Sequence, residues 1–193
     1  MKLKRNDLWS LEEYAAERES FRAMILKHKK VRQVALGPHA TLYFEDRLTM
    51  KYQVQEMLRV ERIFEREEIE EELAAYNPLI PDGRNWKATF MIEYGDEDER
   101  REALSKMGGI EETLWVQVGN GEKSYAITNE DMERTRDTKA AAVHFTRFEL
   151  SDTDLESIEN GHEIRFGLDH PSLATTVTLD VKERLSLVAD LDL

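Results

Sequence analysis

The chain contains no cysteine, so any metal it holds must be bound by histidine and carboxylates. Three residues have types and surroundings suited to such a site: Glu56, Glu61 and His144. Both glutamates fall within residues 47–76, a stretch with no Gly or Pro that reads as one long helix. At 100° per residue, with Leu48 at zero, Glu56 falls near 80°, between Ile63 at about 60° and Val60 at about 120°. Glu61 falls near 220°, between Met50 at about 200° and Val54 at about 240°. Gln53, at about 140°, lies between Val60 and Phe64. A carboxylate threaded through apolar flanks needs a partner or a raised pKa. The structural reading is an ion pair with Arg147 or Lys87 on a facing strand, and it carries the greater weight. The functional reading is a non-haem metal site or a general acid/base group.

His144 sits mid-strand between Val143 and Phe145, with Arg147 three residues on and so on the opposite face. A lone strand histidine is more often a satisfied core residue than a ligand. Near a helix carboxylate, however, its neutral imidazole is what a cysteine-free metal site would use. His170, in Asp169-His170-Pro171, reads as part of a turn. Glu159 and His162 have di-iron spacing, but Gly161 interrupts them at a helix end. No phosphate-binding glycine loop, nucleophile elbow or H-E-x-x-H motif occurs.

The elements that would position these residues read as α+β. Ser10 to Glu13 forms a capping box that opens a helix over residues 11–30. That helix ends in a basic run, Lys27-His28-Lys29-Lys30, with Arg32 beyond; the run complements the helix dipole, with an anion patch as the alternative. A small hairpin, 34–36 and 41–44, precedes the spine helix over 47–76. The acidic second half of the spine, from Glu65 to Glu72, should be solvated and held to the body by Ile69 and Leu73. Residues 87–180 are mainly β, with a hairpin at Gly119-Asn120-Gly121 and a central strand over 140–150. A helical turn is expected over 129–136 and a closing helix over 181–190. The expected architecture is a single domain, 1–193: a largely antiparallel sheet or part-barrel packed on one long helix, with helices at both ends.

A formal net charge of −13 argues against general affinity for nucleic acid or anionic membrane. The charged N-terminus and the lack of any long apolar run point to a cytoplasmic protein without a membrane span. Without cysteine there is no cysteine-ligated cluster, disulfide or thiol chemistry. A spine apolar on several sides could also be covered by a second copy, making a homo-oligomer through the long helix.

Six blocks together carry a resemblance. They are Val34 to Pro38, Thr41 to Arg47, Tyr52 to Arg59, Tyr76 to Pro81, Ala141 to Phe145, and Asp169-His170-Pro171. From end to end the chain resembles a bacterial family catalogued as a domain of unknown function. The resemblance implies a setting: such proteins are often encoded near rubrerythrin-like and iron–sulfur oxidoreductase proteins. It thereby implies redox or iron-protein partners, in peroxide defence or electron transfer, with the metal centres on those partners. It assigns no catalytic residue. The expected role is an accessory or binding protein serving a redox or oxidative-stress system. The alternative is an enzyme or sensor with a His/carboxylate metal site.

Overall fold

The computed structural model describes residues 2–128, 130 and 140–193. The chain begins with α1 (Leu11–Lys29), opened by the expected capping box: Glu13 N donates to Ser10 Oγ, and Ser10 N donates to Glu13 Oε2. Strands β1 (Gln33–Ala35) and β2 (Ala40–Phe44) follow, then α2 (Arg47–Glu61) and α3 (Arg66–Tyr76). Next come β3 (Asn85–Ile92), α4 (Glu97–Leu104), β4 (Leu114–Val118), β5 (Ser124–Tyr125) and β6 (Ile127–Thr128). The chain closes with β7 (Val143–Glu149), α5 (Asp152–Glu159), β8 (Ile164–His170), β9 (Leu173–Thr178) and α6 (Val181–Val188). The helical turn expected over 129–136 lies, apart from Glu130, outside the described residues.

The α+β class holds, with two antiparallel sheets among the described residues, ordered β1-β2-β3-β7-β6 and β5-β4-β8-β9. The chain passes from one sheet to the other at Ala126, between β5 on β4 and β6 on β7. The inner faces of the sheets share one core. At its centre Phe44, Phe148 and Trp86 surround Phe166, with ring centroids 5.0, 5.1 and 5.7 Å away. The Trp86 indole donates to the Leu187 carbonyl at 2.8 Å and so fastens α6 to this core. Opposite Trp115, only a residue without a Cβ fits: a methyl on Gly167 would lie 2.2 Å from the indole ring. β7 is central as expected, paired on both sides by β3 and β6.

The spine helix expected over 47–76 is two helices. The longest helix, α1, has 19 residues. α2 stops at Arg62, which takes the left-handed conformation (φ 59°), and the amides of Arg62 and Ile63 both return to the Leu58 carbonyl. Nothing in local propensity demands this break. Left-handed backbone costs a non-glycine residue about 1–2 kcal/mol. In return α3 folds back, and Ile69 and Leu73 join Met50, Val54, Leu58 and Ile80 in a second core. Burying two such side chains is worth about 1.5–3 kcal/mol each, so packing wins. The acidic face of α3 is solvated, and Ile69 and Leu73 hold the helix down, as expected.

A third cluster, Tyr14, Phe21 and Ile25 with Trp9, Leu48 and Tyr52, joins α1 to α2. What locks α1 to the sheets is polar. Arg32, 2% exposed, donates from Nε to the Phe44 carbonyl (3.2 Å) and from Nη2 to the Glu45 carbonyl (3.0 Å). Nη1 reaches the Ser186 carbonyl (3.1 Å), and the fork closes on Asp190 at 2.5 and 3.3 Å. Asp46 lies 3.5 Å from Arg32 Nε and 2.5 Å from His28 Nε2. Burial opposes the charge on Asp46, but Arg32, the Thr49 amide and His28 outweigh it and hold that carboxyl below its ordinary value. Burial pushes Asp190 up to about 6; Arg32 offsets part of the rise and Asp46 adds to it.

Replacing Arg32 by Met strands both aspartates, and urea unfolding should show a loss of about 3–5 kcal/mol. Asp190 contributes stability that is present below its unfolded value near 3.8 and is lost as pH rises through about 6. Thermal melts of Asp190→Asn should therefore lack the part of the stability decline that the wild type shows between about pH 4 and 6.

Candidate functional site

The outer face of the first sheet, turned away from the sandwich core, carries a row of charge. Glu45 follows β2, and its amide donates to the Lys87 carbonyl at 2.8 Å; Lys87 in turn lies opposite Arg147 on β7. Directly opposed like charges are unfavourable unless other groups offset them. Here Glu130 takes Arg147 in a two-pronged contact of 2.8 and 3.0 Å, and Glu149 also accepts from it. Lys87 Nζ donates to the Pro78 carbonyl at 2.6 Å. Burial lowers the pKa of Lys87, opposed by Asp82.

The C-terminal turn of α3 and the segment after it arch over this row and leave a cleft. Ala74 and Ala75 supply one wall, Pro78, Leu79 and Ile80 a second, and Phe145 the apolar part of the sheet side. Asn77 fixes the arch by exchanging two hydrogen bonds with the Leu3 backbone, at 2.7 and 3.0 Å, which brings Lys2 to the rim. The cleft has a volume of about 890 Å³, toward the upper end for small-molecule sites.

Glu45 lines this cleft and is 7% exposed. Its Oε2 accepts from Thr49 Oγ1 (2.7 Å) and Gln53 Nε2 (3.1 Å), and its Oε1 from Thr89 Oγ1 (3.1 Å). Both α2 donors follow from helical spacing: residues 45, 49 and 53 recur every four positions and share a side. The third donor, Thr89, comes from β3, 44 residues further along the chain.

The residues expected to form a metal site sit elsewhere. Glu56 faces α1, where Arg18 grips it at 2.7 and 2.8 Å and Tyr14 donates to it at 2.6 Å. Glu56 is thus ion-paired, with Arg18 as partner rather than Arg147 or Lys87. Arg18 and Tyr14 outweigh burial and hold its carboxyl down at about 2. Glu61 is exposed at the last position of α2. His144 is fully buried in the core between the sheets, with Nε2 3.0 Å from the Ala141 carbonyl and Nδ1 3.8 Å from Glu111. Among the described residues, no three His, Asp or Glu side chains converge as a metal site would require. No helix among them is long and apolar enough to cross a membrane.

Fold and cleft together define an α+β protein: a two-sheet sandwich with a helical cap and a ligand-sized groove between cap and sheet. The chain belongs to the family described as protein of unknown function DUF3501, whose model matches residues 2–191. No curated relative matches it. A crystal structure from Burkholderia pseudomallei K96243, titled a novel protein of unknown function, is 44% identical, with a TM-score of 0.93 and full coverage of both chains.

The α1–α2 ion pair gives a direct test of the role of Glu56. Glu56→Gln should cost about 1–2 kcal/mol in chemical denaturation, the lower part of the range for charge-assisted pairs, because water reaches both partners. With a folded pKa near 2, its contribution is present above about pH 4.5 and is lost as pH falls toward 2. The difference between mutant and wild type should shrink over that window.

Proposed function

We propose that this protein is a binding protein that holds a small organic ligand in the cleft between α3 and the outer face of the first sheet. The observation that carries this reading is Glu45, a carboxylate nine-tenths buried at the edge of a ligand-sized groove and fixed by three neutral donors. Holding a charge there costs stability that a purely structural role would not require. Small apolar residues, Ala74 and Ala75, leave the groove open where a larger side chain would close it. In the redox setting that the family resemblance implies, the protein acts as an accessory that binds rather than as a catalyst of a step.

The exposed position of Ala75 offers a clean block. Ala75→Trp should fold with near wild-type stability, since it replaces a surface residue on a helix. A fragment screen followed by amide chemical shifts should give hits that move Glu45, Leu79 and Lys87 in the wild type and vanish in the variant. Hits that persist in Ala75→Trp, or that map elsewhere, would remove the cleft from consideration. Metal analysis of untagged protein tests the alternative of a metal-centred enzyme or sensor: iron, manganese or zinc at near one per chain would displace the accessory reading.

A further inference from the structure

Building on that binding role, we infer that the ligand carries a cationic nitrogen, an ammonium, amidinium or guanidinium group, which pairs with Glu45. Three features of the cleft lead there. The first is what surrounds the carboxylate. Its three partners are two threonine hydroxyls and a glutamine amide. No lysine, arginine or histidine nitrogen among the described residues lies within 4.0 Å of it. Other acids set into this fold have a basic side chain within 4.0 Å: Asp46 and Asp190 share Arg32, Glu56 has Arg18, and Glu111 has the buried His144 at 3.8 Å.

The second is an ion pair that the fold could make and does not. Lys87 is the cross-strand neighbour of Glu45, and such neighbours have Cβ atoms about 5 Å apart on one face. A lysine there would reach Glu45 readily. Instead its ammonium turns to the Pro78 carbonyl at 2.6 Å and braces the opposite wall. Arg147 is likewise engaged by Glu130 and Glu149. The two cations on the sheet side, Lys87 and Arg147, are therefore engaged elsewhere, Lys2 stands at the rim beyond 4.0 Å from the carboxylate, and the negative charge is left for a guest.

The third is preorganisation. A carboxylate has about four acceptor directions, and three are used, so Glu45 is held in one orientation with capacity to spare. A cationic guest would replace lost hydration with a charge-assisted hydrogen bond, the stronger kind. Leu79, Ile80, Pro78 and Phe145 then offer the carbon body of the guest an apolar bed.

Three probes of one shape separate the possibilities: 4-phenylbutylammonium, uncharged 4-phenylbutanol and 4-phenylbutyrate, each titrated into the full-length protein and followed by amide shifts. The ammonium should bind at least tenfold tighter than the alcohol, move Glu45, Thr49 and Thr89, and lose that advantage in Glu45→Gln. The comparison of the three probes on wild-type protein stands even if the variant folds poorly. If the alcohol or the butyrate binds in the cleft as well as the ammonium does, the ligand class is wrong while the cleft remains a binding site. If Glu45→Gln folds and keeps the full preference, the pairing with Glu45 is likewise refuted. If none of the three perturbs the cleft, the inference falls; whether the binding role falls with it is decided by the fragment screen on wild type and Ala75→Trp.

Discussion

A guanidinium taken out of water must find an acceptor for nearly every N–H or lose several kcal/mol, and Arg32 finds them on three separate parts of the chain. It sits just past α1, grips the backbone at the end of β2, and closes on Asp190 beyond α6. Two of its acceptors are the carbonyls of Phe44 and Glu45, so it also fixes the backbone from which the cleft carboxylate projects. One side chain thereby ties the end of α1, the end of β2 and the chain around α6 to one another. Its neighbour Asp46 extends the arrangement: its side chain caps α2 through the Thr49 amide at 2.7 Å, while its other oxygen meets His28.

The cleft arises from a division of labour across one sheet. The inner face is mainly apolar, with His144 buried in it, and is fused to the second sheet. The outer face carries Glu45, Lys87 and Arg147 in one cross-strand row, which a plain sandwich would leave in solvent. Folding α3 back over this face, with the Asn77 hydrogen bonds to Leu3 holding the arch, turns an exposed polar surface into a partly enclosed one. The break at Arg62 is what permits that return. The same local event buries Ile69 and Leu73 and places Ala74 and Ala75 at the groove.

Much of the fold was legible in the sequence because the signals were local. The capping boxes at Ser10 and Ser151 marked helix starts correctly, and the apolar run 140–150 marked a central strand. The break in the spine was not legible, since Arg62 has no glycine, proline or cap signature and its conformation is imposed by packing of α3 on α2. That error propagated to the helical wheel. It set Val60 and Phe64 among core neighbours, yet they are 65% and 68% exposed. Gln55, a polar residue inside α2, is fully buried because α1 and the segment before it cover that side, and it is hydrogen-bonded to the Trp9 backbone. Glu56 was read rightly as a carboxylate in need of a partner, but which cation would supply it depended on how α1 crosses α2. Glu45 was missed because its three donors come from two elements far apart in sequence.

The span of the Arg32–Asp190 contact bears on the birth of the molecule. The two residues stand 158 positions apart. At about 5–20 residues per second, a ribosome needs on the order of 8 to 30 s to deliver the second after the first. For all but the first part of that interval α1 and the first hairpin are already synthesised, and Arg32 must stay hydrated with its acceptors incomplete. The nascent chain therefore cannot close in its final arrangement segment by segment; the first layer made waits for the last helix.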